Sequence, residues 1–154
     1  MHAIRAVLPA IATGLAISTA ALAAQPMISP GEWEVNATVT EARLPGAPAA
    51  MTEAMKKPHV SRHCLTPEQA ARGPQDLFSH GGSGCKLVHY SAKNGKMDGA
   101  MQCTSPTMGK MTVKTSGEYA ASHYHAVSNM VVDGPRGAGR MVTEVTGRRI
   151  GKCK

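Results

Sequence analysis

Histidine and methionine are the residues in this chain whose spacing could support chemistry. His123 and His125 lie two positions apart in a segment with strand character, so both side chains would project from the same face. Imidazole nitrogen together with thioether sulfur suits copper, especially Cu(I). Both residue types also have ordinary explanations. Two histidines on an exposed strand face are often plain polar surface, and methionine is the usual gap-filler of a core with few aromatic rings. We therefore predict no metal and no cofactor, with a copper site at His123 and His125 as the alternative.

Motifs for catalysis are weak. The ten carboxylates are scattered along the chain, and no pair has a spacing that predicts an acid and a base in one site. Residues 80–84 (His-Gly-Gly-Ser-Gly) are similar to an oxyanion loop of hydrolases, but no Gly-x-Ser-x-Gly motif accompanies them. We expect a protein that is not an enzyme and has no catalytic residues, with a hydrolase lacking recognisable motifs as the least favoured alternative.

The N-terminal residues have the three-part pattern of a secretory signal peptide. Arg5 precedes a run of small and apolar residues (6–20), and the small residues after it suit cleavage near Ala23. The run is too short and too weakly apolar for a stable membrane span. We expect residues 1–23 to be removed and residues 24–154 to form one domain, periplasmic or secreted, that does not span a membrane.

All four cysteines lie after this segment. An even number of cysteines in a small exported protein predicts two disulfides, and the absence of a Cys-x-x-Cys motif argues against a thiol–disulfide oxidoreductase. Three pairings are possible. We favour Cys64–Cys85, which would close the loop that carries a short helix, together with Cys103–Cys153, which would tie the last strand to a hairpin.

One other pairing stays open because it depends on a turn. The dipeptide Asn94-Gly95 is a strong signal for a two-residue hairpin turn. Such a turn would place Cys103 opposite Lys86, with Cys85 on the other face. A looser turn would bring Cys85 against Cys103 instead.

Charge and composition limit the possible partners. The formal net charge is +7, but the basic residues are dispersed and the chain has only one Trp, three Tyr and one Phe. A nucleic-acid-binding protein would gather its cations on one face and interleave them with aromatic residues. We therefore expect no nucleic-acid partner.

The elements that must position these residues are mostly strands. Apolar and polar residues alternate from Trp33 to Thr40, which predicts a strand with one buried face and Trp33 in the core. Thr66 and Gln69 form a capping box, which predicts a helix of under two turns. Residues 44–58 are rich in proline, and we interpret them as an excursion in which any helix is confined to two turns.

The predicted fold is all-β. We expect an antiparallel meander of about seven strands, forming a half-closed barrel or a sandwich, with one short helix in a disulfide-closed loop. Because aromatic residues are few, the core must be filled largely by Val, Met, Leu and Ala, and the disulfides should supply much of the stability.

Three stretches, taken in order, resemble a known family. They are Pro30-Gly31-Glu32-Trp33-Glu34-Val35, Cys64-Leu65-Thr66-Pro67-Glu68 and Gly147-Arg148-Arg149-Ile150-Gly151-Lys152-Cys153. The chain is similar in these motifs to a family of small exported bacterial proteins known only as a domain of unknown function. The resemblance implies a periplasmic, Met-rich, all-β domain with two disulfides, and it transfers no catalytic residues.

The function predicted from these features is a non-catalytic binding or envelope-support module. A curved sheet with small side chains could leave an apolar groove lined by Met97, Met101, Met111 and Met130. Its partner would be a small apolar ligand or another component of the cell envelope. The oligomeric state does not follow from the sequence.

Overall fold

A computed structural model describes residues 28–75 and 84–154 of the chain. The predicted signal peptide (1–23) and almost all of the loop at residues 80–84 lie outside the described residues. In the described part, seven strands form one antiparallel sheet in the order β2-β1-β7-β6-β5-β4-β3. The strands are β1 (Gly31–Arg43), β2 (His59–Leu65), β3 (Cys85–Lys93), β4 (Lys96–Ser105), β5 (Gly109–Tyr119), β6 (His123–Gly134) and β7 (Gly137–Gly151).

The sheet confirms the all-β antiparallel prediction and decides between its two forms. Strands β3 to β7 run as a meander, and β1 pairs with the last strand, β7, at the end of that meander. Strand β2 then pairs on the outer side of β1. All seven strands share one open sheet, so the sandwich alternative was wrong.

Two short α-helices interrupt the strands in the part of the chain that the structure describes. Helix α1 (Ala49–Met55) lies between β1 and β2, and helix α2 (Pro67–Ala71) follows β2. The capping box predicted for α2 is confirmed, because the Thr66 side chain accepts from the Gln69 backbone and the Gln69 side chain accepts from the Thr66 backbone. The expectation of a single helix was wrong, since the proline-bounded segment accommodates two turns of α1.

The core collects on one face of the sheet. Trp33 is only 1% exposed, which confirms its predicted role as a core anchor. Its indole Nε1 donates a hydrogen bond to the carbonyl oxygen of Ser29 at 3.0 Å. Its ring stacks on Tyr124, with 5.8 Å between the ring centroids. Ala70 of α2 joins the same cluster, so the short helix covers one end of this face.

The disulfides differ from the favoured pairing. The structure joins Cys64 to Cys153 and Cys85 to Cys103, so the predicted Cys64–Cys85 and Cys103–Cys153 bonds were wrong. The loop that contains α2 is therefore not closed by a disulfide of its own. Cys64–Cys153 instead fastens the edge strand β2 to the residues that follow β7.

A β-bulge explains the second bond. The hairpin turns at Asn94-Gly95 with Lys93 opposite Lys96, as expected, but the register shifts between Leu87 and His89. The extra residue at this bulge moves Cys85 by one position and places it opposite Cys103. The pairing left open in the sequence was thus reached by a bulge in the strand and not by a looser turn.

Candidate functional site

The core-bearing face of the sheet contains a cavity of about 520 Å³. Among the described residues, its lining comes from α2 and from every strand except β3. Because β2 is an edge strand and β4 lies next to the opposite edge, the sheet must curl for both to reach one cavity. We call this inward side the concave face. The side chains that line the cavity on it include Val35, Leu65, Met97, Met101, Val113, Tyr124, Ala126 and Val145.

Strand register explains why these side chains converge. Met101 lies opposite Val113 across β4 and β5, and Ala126 lies opposite Val145 across β6 and β7. In an antiparallel sheet, directly opposed residues project from the same face, and the next residue along each strand projects from the other. The alternation seen in the sequence is therefore what assembles an apolar wall from separate strands.

The polar groups of the cavity are few. Thr115 Oγ1 and Ser128 Oγ, on adjacent strands, lie 2.7 Å apart in a hydrogen bond. Ser61, His63 and Gln69 contribute to the lining from β2 and α2. The cavity is thus an apolar surface with one internally bonded hydroxyl pair and a polar side near the sheet edge.

Tyr124 connects the cavity to the core. Its ring lines the cavity and also stacks on the fully buried Trp33. Burial raises the pKa of the Tyr124 phenol to about 12, because the phenolate loses hydration in this environment. The phenol therefore stays neutral across the physiological range and adds no charge to the cavity.

The four methionines of the predicted groove do not form one wall. Met97 and Met101 line the cavity described above, whereas Met130 lines a second cavity nearer the other end of the strands. Met111 lines neither of these two cavities. All four share the concave face, as expected, but Met111 precedes the cavity-lining residues of β5 and Met130 follows those of β6.

The two histidines of the copper alternative lie on the opposite, convex face. His125 Nε2 lies 2.7 Å from Glu144 Oε1, and His123 Nδ1 lies 3.5 Å from Ser122 Oγ. They share a face, as predicted, and both are exposed. Within residues 28–75 and 84–154 no group of three or more His, Cys, Asp or Glu side chains is arranged to hold a metal ion. Copper binding by this pair stays a prediction.

The convex face also carries an ion-pair cluster that spans three strands. Glu34 of β1 accepts from Arg62 of β2 at 2.8 Å and from Arg148 of β7 at 2.6 Å. Hydrogen bonds from Arg62 and then Arg148 hold the pKa of the Glu34 carboxyl below its usual value. Each partner is a directly opposed residue in the sheet, so this cluster supports the register of β2-β1-β7 and is remote from the cavity.

No helix in the described part of the chain has the length and apolar character needed to cross a membrane. A family model described as "Protein of unknown function (DUF3617)" matches residues 28–153, which is most of the chain. This match confirms the resemblance to a domain of unknown function. No curated protein and no solved structure matches the chain.

Proposed function

The chain belongs to the family of proteins of unknown function DUF3617, and we propose that it is an exported, non-catalytic binding protein that holds an apolar ligand on the concave face of its sheet. The observation that carries this proposal is the cavity of about 520 Å³ on that face. Proteins bind small ligands in pockets of roughly 300–1,000 Å³ with mostly apolar walls. The cavity has both properties.

The arrangement of polar groups in the cavity favours an apolar ligand. The hydroxyls of Thr115 and Ser128 bond to each other, so an apolar group lying on them leaves neither without a partner. The neighbouring walls are formed by side chains such as Val113 and Val145, which gain free energy when a ligand removes them from water.

The titratable groups support binding over catalysis. In the described part of the chain, no Asp or Glu lines the cavity, and Tyr124 stays protonated because its pKa is raised to about 12. A general acid–base mechanism needs converging groups whose pKa values lie near the working pH.

Export is supported by two independent features. The N-terminal 23 residues have the signal-peptide pattern, and both pairs of cysteines are joined as disulfides. Disulfides persist in oxidising compartments outside the cytosol. We therefore propose that the mature protein is periplasmic or secreted.

A pair of neighbouring substitutions tests the binding site. Val113 lines the cavity, whereas Thr112 is the preceding residue of β5 and projects from the convex face. Val113→Phe should place an aromatic ring inside the cavity. It should weaken binding of the uncharged probe N-phenyl-1-naphthylamine by about tenfold or more, since the probe loses contact area with the apolar wall. Thr112→Phe adds the same ring on the other side and should leave binding unchanged.

The measurement is probe fluorescence with the oxidised protein lacking residues 1–23. Urea unfolding of both variants checks that each remains folded. Native mass spectrometry of the protein purified from its own cells should additionally detect a retained apolar molecule. If the wild-type protein does not bind the probe, or both variants bind it as the wild type does, the proposed site is wrong.

A further inference from the structure

A second cavity, of about 490 Å³, lies on the concave face beyond the first. Helix α1, the segment just before it, and the turns after β4 and β6 surround this cavity. Met130 of β6 and Met141 of β7, which are directly opposed, form part of its floor. We call it the methionine cavity, because five methionines line it: Met51, Met55, Met108, Met130 and Met141.

The exposure of these methionines indicates a surface adapted to a ligand. Met51 on α1 is 54% exposed, and Met55, one helical turn later, is 37% exposed. Met108, in the turn between β4 and β5, is 40% exposed. Clustered exposed apolar side chains mark interaction sites, and flexible thioether chains adapt to alkyl groups of varied shape.

One charged side chain distinguishes this cavity from the first. Arg136, in the β6–β7 turn, is part of its lining. Within residues 28–75 and 84–154 its guanidinium makes no hydrogen bond and no ion pair, and no Asp, Glu or His shares the lining. In this described part of the chain, the methionine cavity therefore combines an apolar wall with a positive charge at its edge that no carboxylate pairs with.

That combination decides between two classes of ligand. Thioether sulfurs alone would suit Cu(I), but the nearby guanidinium repels a metal cation. An alkyl chain that ends in an anion fits both features, because the chain packs on the methionines and the anion pairs with Arg136. The cavity volume is that of a site for one small ligand, which favours a single chain over a two-chain phospholipid.

We infer that the methionine cavity binds a fatty-acid-like ligand, with its carboxylate on Arg136 and its alkyl chain against the methionines. This inference deepens the proposed function and rests on it, because it names the ligand class of the same concave face. It also adds a specific recognition residue for the headgroup, which the first cavity does not supply.

Two probes of equal chain length test the headgroup assignment. Dodecanoate and dodecanol share the same carbon count and differ in the headgroup, which is an anionic carboxylate in one and a neutral hydroxyl in the other. Titration calorimetry of the oxidised protein lacking residues 1–23 measures the binding of both. Dodecanoate should bind the wild type about tenfold more tightly than dodecanol, since a charge-assisted hydrogen bond is worth that much. Arg136→Gln should remove this preference and leave dodecanol binding unchanged.

Arg140→Gln is the matched control. Arg140 lies in the same β6–β7 hairpin, but it projects from the convex face, where it bonds to Asn129. The Arg140→Gln substitution removes the same charge from the protein as Arg136→Gln does, and it should leave the preference for dodecanoate intact. An equal loss in the two variants would mean that general charge attraction, and not a carboxylate site at Arg136, governs binding.

Other results overturn the inference in different ways. Equal binding of dodecanoate and dodecanol by the wild type removes the carboxylate assignment but leaves the proposed apolar binding intact. Tight Cu(I) binding that is lost in Met130→Leu/Met141→Leu would make the methionine cavity a metal site instead. If neither amphiphile nor the uncharged naphthylamine probe binds, the proposed function fails together with this inference.

Discussion

The ring of Tyr124 fills the space in front of Gly147, the residue directly opposite it across β6 and β7. A Cβ atom at Gly147 would overlap the Cε1 and Cζ atoms of that ring. Because glycine has no side chain, the phenol ring packs flat against the sheet at this position and stacks on Trp33. Aromatic residues that cover a glycine on a neighbouring strand stabilise a sheet in this way.

Gly147→Ala should displace the Tyr124 ring and disturb its stacking on Trp33. Overpacking of this kind costs about 1–3 kcal/mol of unfolding free energy. Urea unfolding followed by tryptophan fluorescence measures both effects, because the single Trp reports on its own surroundings.

Gly151→Ala is the control for this prediction. It makes the same chemical change near the end of the same strand, where no atom of the residues that the structure describes lies within 4 Å of the added Cβ. Its unfolding free energy should stay within about 0.5 kcal/mol of the wild type. Equal destabilisation by the two variants would show that the contact between Gly147 and Tyr124 is unimportant.

Local signals in the sequence predicted local structure well. The alternation around Trp33, the capping box of Thr66 and Gln69, and the Asn94-Gly95 turn each depend on residues close together in the chain. Each element could therefore be predicted from its local sequence, whatever the rest of the fold.

Features that depend on distant register were not predictable. One extra residue between Leu87 and His89 changed the disulfide partner of Cys85. The residue types in this stretch gave no signal that predicts the bulge. The methionine cavity likewise requires Met130 and Met141 to be opposed and α1 to lie over them. The four-residue spacing of Met51 and Met55 was visible, but the strands that they face were not.

Alkaline unfolding should reveal the burial of Tyr124. Below pH 10 the Tyr124 phenol is neutral in both the folded and the unfolded state, so its ionisation takes nothing from the unfolding free energy. Between about pH 10 and about pH 12 the unfolded chain releases this proton while the folded protein holds it, because burial raises the folded pKa to about 12. The unfolding free energy should fall by about 2 kcal/mol over that range.

The difference between wild type and Tyr124→Phe isolates this contribution from the titration of lysines. The variant lacks the buried phenol and should lose less stability between pH 10 and pH 12, as measured by urea unfolding at each pH. Parallel pH profiles for the two proteins would contradict the assignment.

Acid should weaken the sheet through Glu34. Its folded pKa is lowered by Arg62 and Arg148, so above its unfolded pKa of about 4.5 the ion pairs contribute their full stability. As the pH falls from there through the lower folded pKa, the unfolded state takes up the proton first and stability is lost. Glu34→Gln should flatten this part of the curve of melting temperature against pH.

Glu53→Gln provides the comparison for that experiment. Glu53 lies on α1, and among the described residues it forms an ion pair with Lys56 alone, away from the three-strand cluster. The Glu53→Gln substitution should leave the fall of melting temperature at acidic pH as steep as in the wild type. High salt should reduce the effect of Glu34, since ion pairs at the surface are screened.

The two disulfides should contribute unequally to stability. Cys64–Cys153 spans 89 positions of the chain and Cys85–Cys103 spans 18, so the first restricts the unfolded chain far more. By loop-closure entropy, Cys64→Ala/Cys153→Ala should lower the unfolding free energy by about 4.5 kcal/mol, and Cys85→Ala/Cys103→Ala by about 3 kcal/mol. The first pair also fastens the edge strand β2, whose loss would open one side of the cavity. Urea unfolding gives the order of the two costs, and an equal or greater loss from the shorter loop would contradict this account.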